Sequence, residues 1–152
     1  MPHTMSSFVA TLLDSGIATA DTVRGCTPAE VAEVRADQRV EWLPAQYEEF
    51  LLTAGRQAGD LLRGTDFFYP TVLGLADDGR ELLDENDAAD LLPEGAVVVG
   101  MHQGYELYWL APSGELSWYK EGATTVHRTW PSLLDFLVDQ AEAQAVARGG
   151  AT

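Results

Sequence analysis

Between Asp77 and Glu94 this sequence places eight carboxylates, with Arg80 as the only base among them. They are Asp77, Asp78, Glu81, Asp84, Glu85, Asp87, Asp90 and Glu94. Clustered carboxylates can hold a metal, split a glycosidic bond or generate an electrostatic field. The metal reading starts at Asp84-Glu85-Asn86-Asp87, which opens like a calcium loop. It breaks at once: Ala88 stands where an oxygen ligand is required, Ala89 where glycine is required and Gly95 where glutamate is required. Glycosidase work needs two acids about 5 to 9.5 Å apart across a cleft, and no sequence feature marks such a cleft. Ser113 sits in Pro-Ser-Gly, without the G-x-S-x-G of a nucleophile elbow, and reads as a turn residue. His3, His102 and His127 are too scattered for a metal motif. Cys26 precedes a helix start, where a thiol can acquire a lowered pKa; the bland reading is an incidental cysteine. No metal or cofactor is expected.

What remains is the field. Twenty-four Asp and Glu face nine Lys and Arg, a formal charge of −15. Nucleic acid and anionic lipid both need a basic footprint, so direct binding of either is not expected. A basic protein partner fits the sign. Asp77, Asp78, Glu81, Asp84, Glu85, Asp87 and Asp90 are the candidate partner-binding residues. The competing reading is a solvated helix face, which is what most charge runs are.

These acids need elements to position them. A chain of 152 residues with 46% hydrophobic content is expected to form one domain with a substantial core. Ser7 to Asp14 reads as a short helix stopped by Gly16. Thr27-Pro28-Ala29-Glu30 is a capping box opening a second helix through Val31 and Val34 to about Arg39. Leu43-Pro44 opens a third, with Tyr47, Phe50, Leu51 and Ala54 on one buried face, Gln46, Glu48, Glu49 and Thr53 on the other, and Gly55 as a left-handed C-terminal stop. Gly55 to Asp66 reads as a loop, and Phe67 to Leu75 as a site for a short strand. Asp77 to Leu92 reads as a helix with Leu82, Leu83, Ala89 and Leu92 inward and most acids outward.

Ala96 to Met101 is an unbroken apolar strand, His102-Gln103-Gly104 a turn and Tyr105 to Leu110 the returning strand. Pro112-Ser113-Gly114 leads to a third strand from Glu115 to Lys120, and Thr125 to Arg128 is the candidate fourth. Leu107, Trp109, Leu116 and Trp118 have period-two spacing and predict one buried sheet face. Trp42 and Trp130 join them as core or core-edge residues. Tyr105, Tyr108 and Tyr119 alternate with the tryptophans; outward interface anchors and ordinary cross-strand packing both fit them. Pro131 begins a long closing helix with Leu133, Leu134, Leu137, Val138 and Ala141 inward. The fold class is therefore α+β: a single domain with N-terminal helices, an antiparallel meander of about four strands and a long C-terminal helix.

The order of these segments resembles the SUKH superfamily. Thr27-Pro28-Ala29-Glu30-Val31 is similar to its opening helix. Leu43-Pro44-Ala45-Gln46-Tyr47-Glu48-Glu49-Phe50-Leu51 with Gly55 resembles its L-P-x-x-Y-x-x-F-L helix. Val97-Val98-Val99-Gly100 with Gly104-Tyr105 and Tyr108 is similar to the central hairpin, and Trp130-Pro131-Ser132-Leu133-Leu134-Asp135-Phe136-Leu137 to the closing helix. After Gly55 the family's Gly-rich, aromatic-containing turn is replaced by Arg56-Gln57-Ala58-Gly59-Asp60. On this resemblance residues 1–24 form an N-terminal helix and connector, and residues 25–148 the domain.

The resemblance implies a non-enzymatic protein-binding domain. Its bacterial members are immunity proteins that neutralise a cognate toxin, often a basic, nucleic-acid-targeting one. Its eukaryotic relatives are adaptor or regulatory scaffolds, which gives the alternative. The single cysteine, the lack of a basic n-region in Met1 to Ala20 and the lack of an apolar span predict a soluble cytoplasmic protein.

Overall fold

A computed structural model describes residues 3–150. The chain begins with α1 (Met5–Asp14), capped by Thr4, whose hydroxyl accepts from Ser7 N. It starts two residues earlier than the apolar pattern indicates, because Thr4 and Ser7 form a reciprocal cap. Phe8 and Leu12 carry α1 into the core, where it packs on the last helix. The short strand β1 (Val23–Arg24) then pairs antiparallel with β2 (Gln57–Ala58), inside a stretch expected to be loop. Gly25 follows β1 against α3 (Ala45–Ala54): a Cβ there would lie 1.8 Å from the Leu52 carbonyl oxygen.

The capping box of α2 (Pro28–Gln38) forms as expected. Thr27 Oγ1 accepts from Glu30 N at 3.2 Å, and Thr27 N donates to Glu30 Oε1 at 2.9 Å. Arg56 also donates to Glu30, so the carboxylate answers two elements. The Arg56 hydrogen bond first, and the Thr27 backbone bond second, pull the Glu30 pKa down from 4.5 to about 2. A depressed folded pKa means a contribution that is complete above the unfolded value and vanishes as pH falls toward about 2. Between those limits Glu30→Gln should show a shallower loss of stability than the parent. Urea unfolding at pH 5, 4 and 3 measures this; parallel curves for the two proteins would refute it.

Gly55 ends α3 with φ −68°, not in the left-handed region expected of it. Its requirement is space: a Cβ would come within 2.8 Å of Cys26 Sγ and 2.6 Å of Leu51 Cα. Gln46, assigned to the solvent side of α3, instead accepts from Leu134 N at 2.8 Å and ties α3 to the start of the closing helix.

The expected strand over Phe67 to Leu75 lies elsewhere. The strand is β3 (Thr65–Asp66), and turns follow it. Pro70 has no N–H to give a ladder, and Gly74 adopts φ +91°. The chain closes on itself instead, Val72 N donating to Phe68 O and Leu73 N to Pro70 O.

The main sheet has five strands in the order β3-β4-β5-β6-β7, with every neighbouring pair antiparallel. The others are β4 (Val97–His102), β5 (Glu106–Leu110), β6 (Leu116–Lys120) and β7 (Arg128–Trp130). Two-residue β3 supplies the strand beyond the expected four, and β7 sits later than Thr125 to Arg128. The α+β class, the meander and the long C-terminal helix α5 (Leu133–Gly150) stand as expected. Helix α5 begins after Pro131, where Ser132 Oγ accepts from Asp135 N.

Register corrects the expectation of one buried face. Leu107 pairs with Tyr119 and Trp109 with Ser117, so they share a face; Tyr108 and Trp118 share the opposite one. Both faces are covered. Gly79 of α4 (Leu75–Glu85) sits against Leu107 and Val98 on the first. On the second, Phe136 of α5 packs on Tyr108 at 5.3 Å and Trp130 at 4.9 Å between ring centroids. Covering both faces explains why β4 is apolar without alternation.

An irregularity between Val98 and Gly100 shifts the β4–β5 register, as a bulge does. Beyond the reach of β3, the Gln38 side chain serves Val98 as a neighbouring strand would. Gln38 Nε2 donates to Val98 O at 2.7 Å and Val98 N donates to Gln38 Oε1 at 3.0 Å. Gln38 is 1% exposed.

Candidate partner-binding face

Helix α4 is shorter than Asp77 to Leu92. It starts at Leu75 and stops at Glu85, where Asn86 caps it. Asp87 takes φ +54°, its N–H donates to Asp84 O and the Ala88 N–H donates to Leu83 O. This pair of bonds is the Schellman termination, with buried Ala88 packed beneath the last turn. A separate 3-10 turn, Ala89–Leu91, follows. Ala89, expected inward, is exposed; Leu92 is half-buried.

Within α4 the segregation is clean. Leu75, Ala76, Gly79, Leu82 and Leu83 face the sheet. Asp77, Asp78, Glu81, Asp84 and Glu85 face solvent. Asp87 and Asp90 lie past the helix end, in its terminating turn and in the 3-10 turn, and both are exposed. Among the described residues, Asp77 alone of these acids forms an ion pair, with Arg39 at 3.3 Å between two exposed side chains. Arg80 points back along its own helix and donates to Ala76 O.

This stripe does not help the helix. Asp77 and Asp78 favour its N-terminus, but Asp84 and Glu85 oppose the partial negative charge at its C-terminus. Asp77–Glu81 and Glu81–Glu85 are like-charge pairs at i,i+4, each unfavourable by about 0.2–0.5 kcal/mol. A face tuned only for helix stability would place bases at 84 and 85.

Sequence spacing alone did not reveal what adjoins the stripe. The chain from Ala89 to Gly95 folds back beside α4 and encloses a groove of about 640 Å³. Glu81, Asp84 and Glu94 line it together with Arg80 and the apolar Leu83, Ala89, Leu92 and Pro93. The signal was Pro93-Glu94-Gly95: Gly95 adopts φ +79° and turns the chain into β4.

The aromatic candidates have other duties. Tyr119 is fully buried and donates to Ala123 O. Tyr108 is half-buried, stacked on Trp118 at 6.0 Å, and burial followed by the Glu106 charge raises its pKa to about 12. Of the three hairpin tyrosines, Tyr105 is the open one, at 40% exposure. Trp42, assigned to the core edge, is 74% exposed. It lies in the connection between α2 and α3, beside buried Leu43 and ahead of the helical face that buries Tyr47.

Cys26 is buried, and its pKa moves in the opposite direction from the helix-terminus expectation. Burial first and the Glu30 carboxylate second raise it to about 11, against a smaller opposing pull from Arg56. The native thiol should therefore resist iodoacetamide at pH 8 and react at the free-cysteine rate in urea. Equal rates in both conditions would contradict this burial.

Among the described residues, no three His, Cys, Asp or Glu side chains come together to hold a metal ion. No described helix is long and apolar enough to cross a membrane. The SMI1 / KNR4 family (SUKH-1) model matches residues 25–139, from the segment before α2 into α5. No curated protein matches the chain significantly.

Proposed function

Since this chain belongs to the SMI1 / KNR4 family (SUKH-1), we propose that it is a non-enzymatic protein-binding domain, an immunity protein that neutralises a basic bacterial toxin. Toxins that act on nucleic acid grip phosphates with Lys and Arg. An acidic helix can occupy such a groove in place of the nucleic acid. The observation that carries this reading is the outer side of α4: a stripe of acids with Arg80 as its one base, nearly free of ion pairs, kept where it costs the helix stability. That is the expected cost of a surface built for a partner.

The alternative is an intracellular adaptor binding through the sheet aromatics. It finds little free surface, since Tyr119 is buried and Tyr108 is packed under Trp118 and Phe136. Tyr105 is the residue left to test it.

The experiment is calorimetry or interferometry against the product of the adjacent gene, at rising salt. The expected result is a complex whose affinity falls steeply between 50 and about 500 mM NaCl, as screened opposite charges require. A complex indifferent to salt and lost on Tyr105→Ala would favour the adaptor instead.

A further inference from the structure

The groove beside α4 permits a more specific statement about the partner, and it rests on the reading just proposed. Its two kinds of lining point to one kind of side chain. The apolar part is Ala89 and Pro93, both exposed, with half-buried Leu92 and buried Leu83. Exposed apolar surface of this kind gains from being covered. The charged part is the carboxylates of Glu81, Asp84 and Glu94 with the single guanidinium of Arg80, which also donates to Ala76 O. Three acids against one base leave the lining negative.

An apolar side chain alone would satisfy the apolar lining and desolvate the carboxylates without compensation. A bare cation would answer the carboxylates and leave the apolar lining wet. A long cationic side chain does both, covering apolar surface with its methylene stem and meeting the acids with its charged head. Between the two such residues, arginine fits better. Its planar fork meets carboxylates with paired hydrogen bonds and is more weakly hydrated than an ammonium. We infer that this groove is the docking slot for an arginine of the partner, and that the rest of the α4 stripe serves to steer and orient the encounter.

The probe is the blocked tripeptide Ac-Ala-Arg-Ala-NH2, followed through the methyl NMR signals of Leu83, Ala89 and Leu92. These signals should shift saturably. The norleucine tripeptide, which keeps the stem and lacks the charge, should bind at least about fivefold more weakly, as should guanidinium ion, which lacks the stem. The lysine tripeptide should fall between. Ala89→Trp fills the groove without changing charge at an exposed position, and should abolish the shifts while leaving the spectrum folded.

Equal binding of the norleucine or lysine peptide overturns the assignment. So does wild-type response in Ala89→Trp. If the groove fails these tests while neutralising Asp84, Glu85 and Asp87 still weakens the basic partner, the slot is wrong and the acidic-face reading stands. If neither responds, both fall.

Discussion

Gln38→Leu should lower stability by about 2–5 kcal/mol, because it strips partners from two buried backbone groups at once. Leucine has nearly the volume of glutamine and would keep the packing, so the loss isolates the amide. In the parent, the side chain closes a two-bond ring with Val98 at 2.7 and 3.0 Å. Val98 lies at the register shift of β4, past the end of two-residue β3. No water reaches it easily, since Val98 is 0% exposed. Each orphaned buried group costs about 1–3 kcal/mol. At this chain length the midpoint of thermal unfolding should drop by roughly 5–15 °C, taking about 2–4 °C per kcal/mol. Gln38→Glu should do no better, since it loses the donor and buries a carboxylate. A Gln38→Leu protein within 1 °C of the parent would mean that the β4 edge has another partner.

What the sequence made legible and what it hid divide along the range of the interactions. Thr27 and Glu30 exchange hydrogen bonds across three residues, so their cap could be read from spacing alone. The apolar stripe of α3 was equally local. Gln38 continues the stripe of Val31 and Val34 at helical spacing, but its inward place goes unread in the sequence because its partner, Val98, lies sixty residues away. The same limit hid the second buried face. Period two says that a strand has two sides, but only the pairing of Leu107 with Tyr119 says which side joins which. The end of α4 escaped for a different reason. Asp84 to Ala89 mixes the good helix formers Glu85, Ala88 and Ala89 with Asp and Asn, and the break depends on Asp87 entering the left-handed region, which Asp tolerates without demanding it. Asp77, Asp78, Glu81, Asp84 and Glu85 are exposed where the helical pattern places them, whereas Asp87 and Asp90 are exposed beyond the helix expected to carry them. The groove was not legible, because half of it comes from the return of Ala89 to Gly95 after that break.

Replacing Asp84, Glu85 and Asp87 by Asn, Gln and Asn should slow association with a basic partner by about tenfold to a hundredfold at low salt. The three are the densest part of the stripe, at and just past the C-terminal end of α4, and Asp84 lines the groove. For Glu85 and Asp87 the effect should lie mainly in the on-rate, because exposed charges steer an encounter more than they hold the docked state; loss of Asp84, which lines the groove, should also speed dissociation. The on-rate effect should shrink as salt shortens the Debye length from about 10 Å at 0.1 M to 3 Å at 1 M. Stability should move the other way. Asp84 and Glu85 oppose the helix dipole, and Glu81–Glu85 is a like-charge pair, so neutralisation should stabilise α4 by a few tenths of a kcal/mol, roughly. This opposition of signs makes the experiment decisive: a folding defect would lower binding and stability together, whereas a partner face loses binding while the protein becomes slightly more stable. Stopped-flow association at 50 and 500 mM NaCl, with thermal unfolding of the same samples, separates the cases. An unchanged on-rate at low salt would return the stripe to the solvated-face reading that its composition also allows.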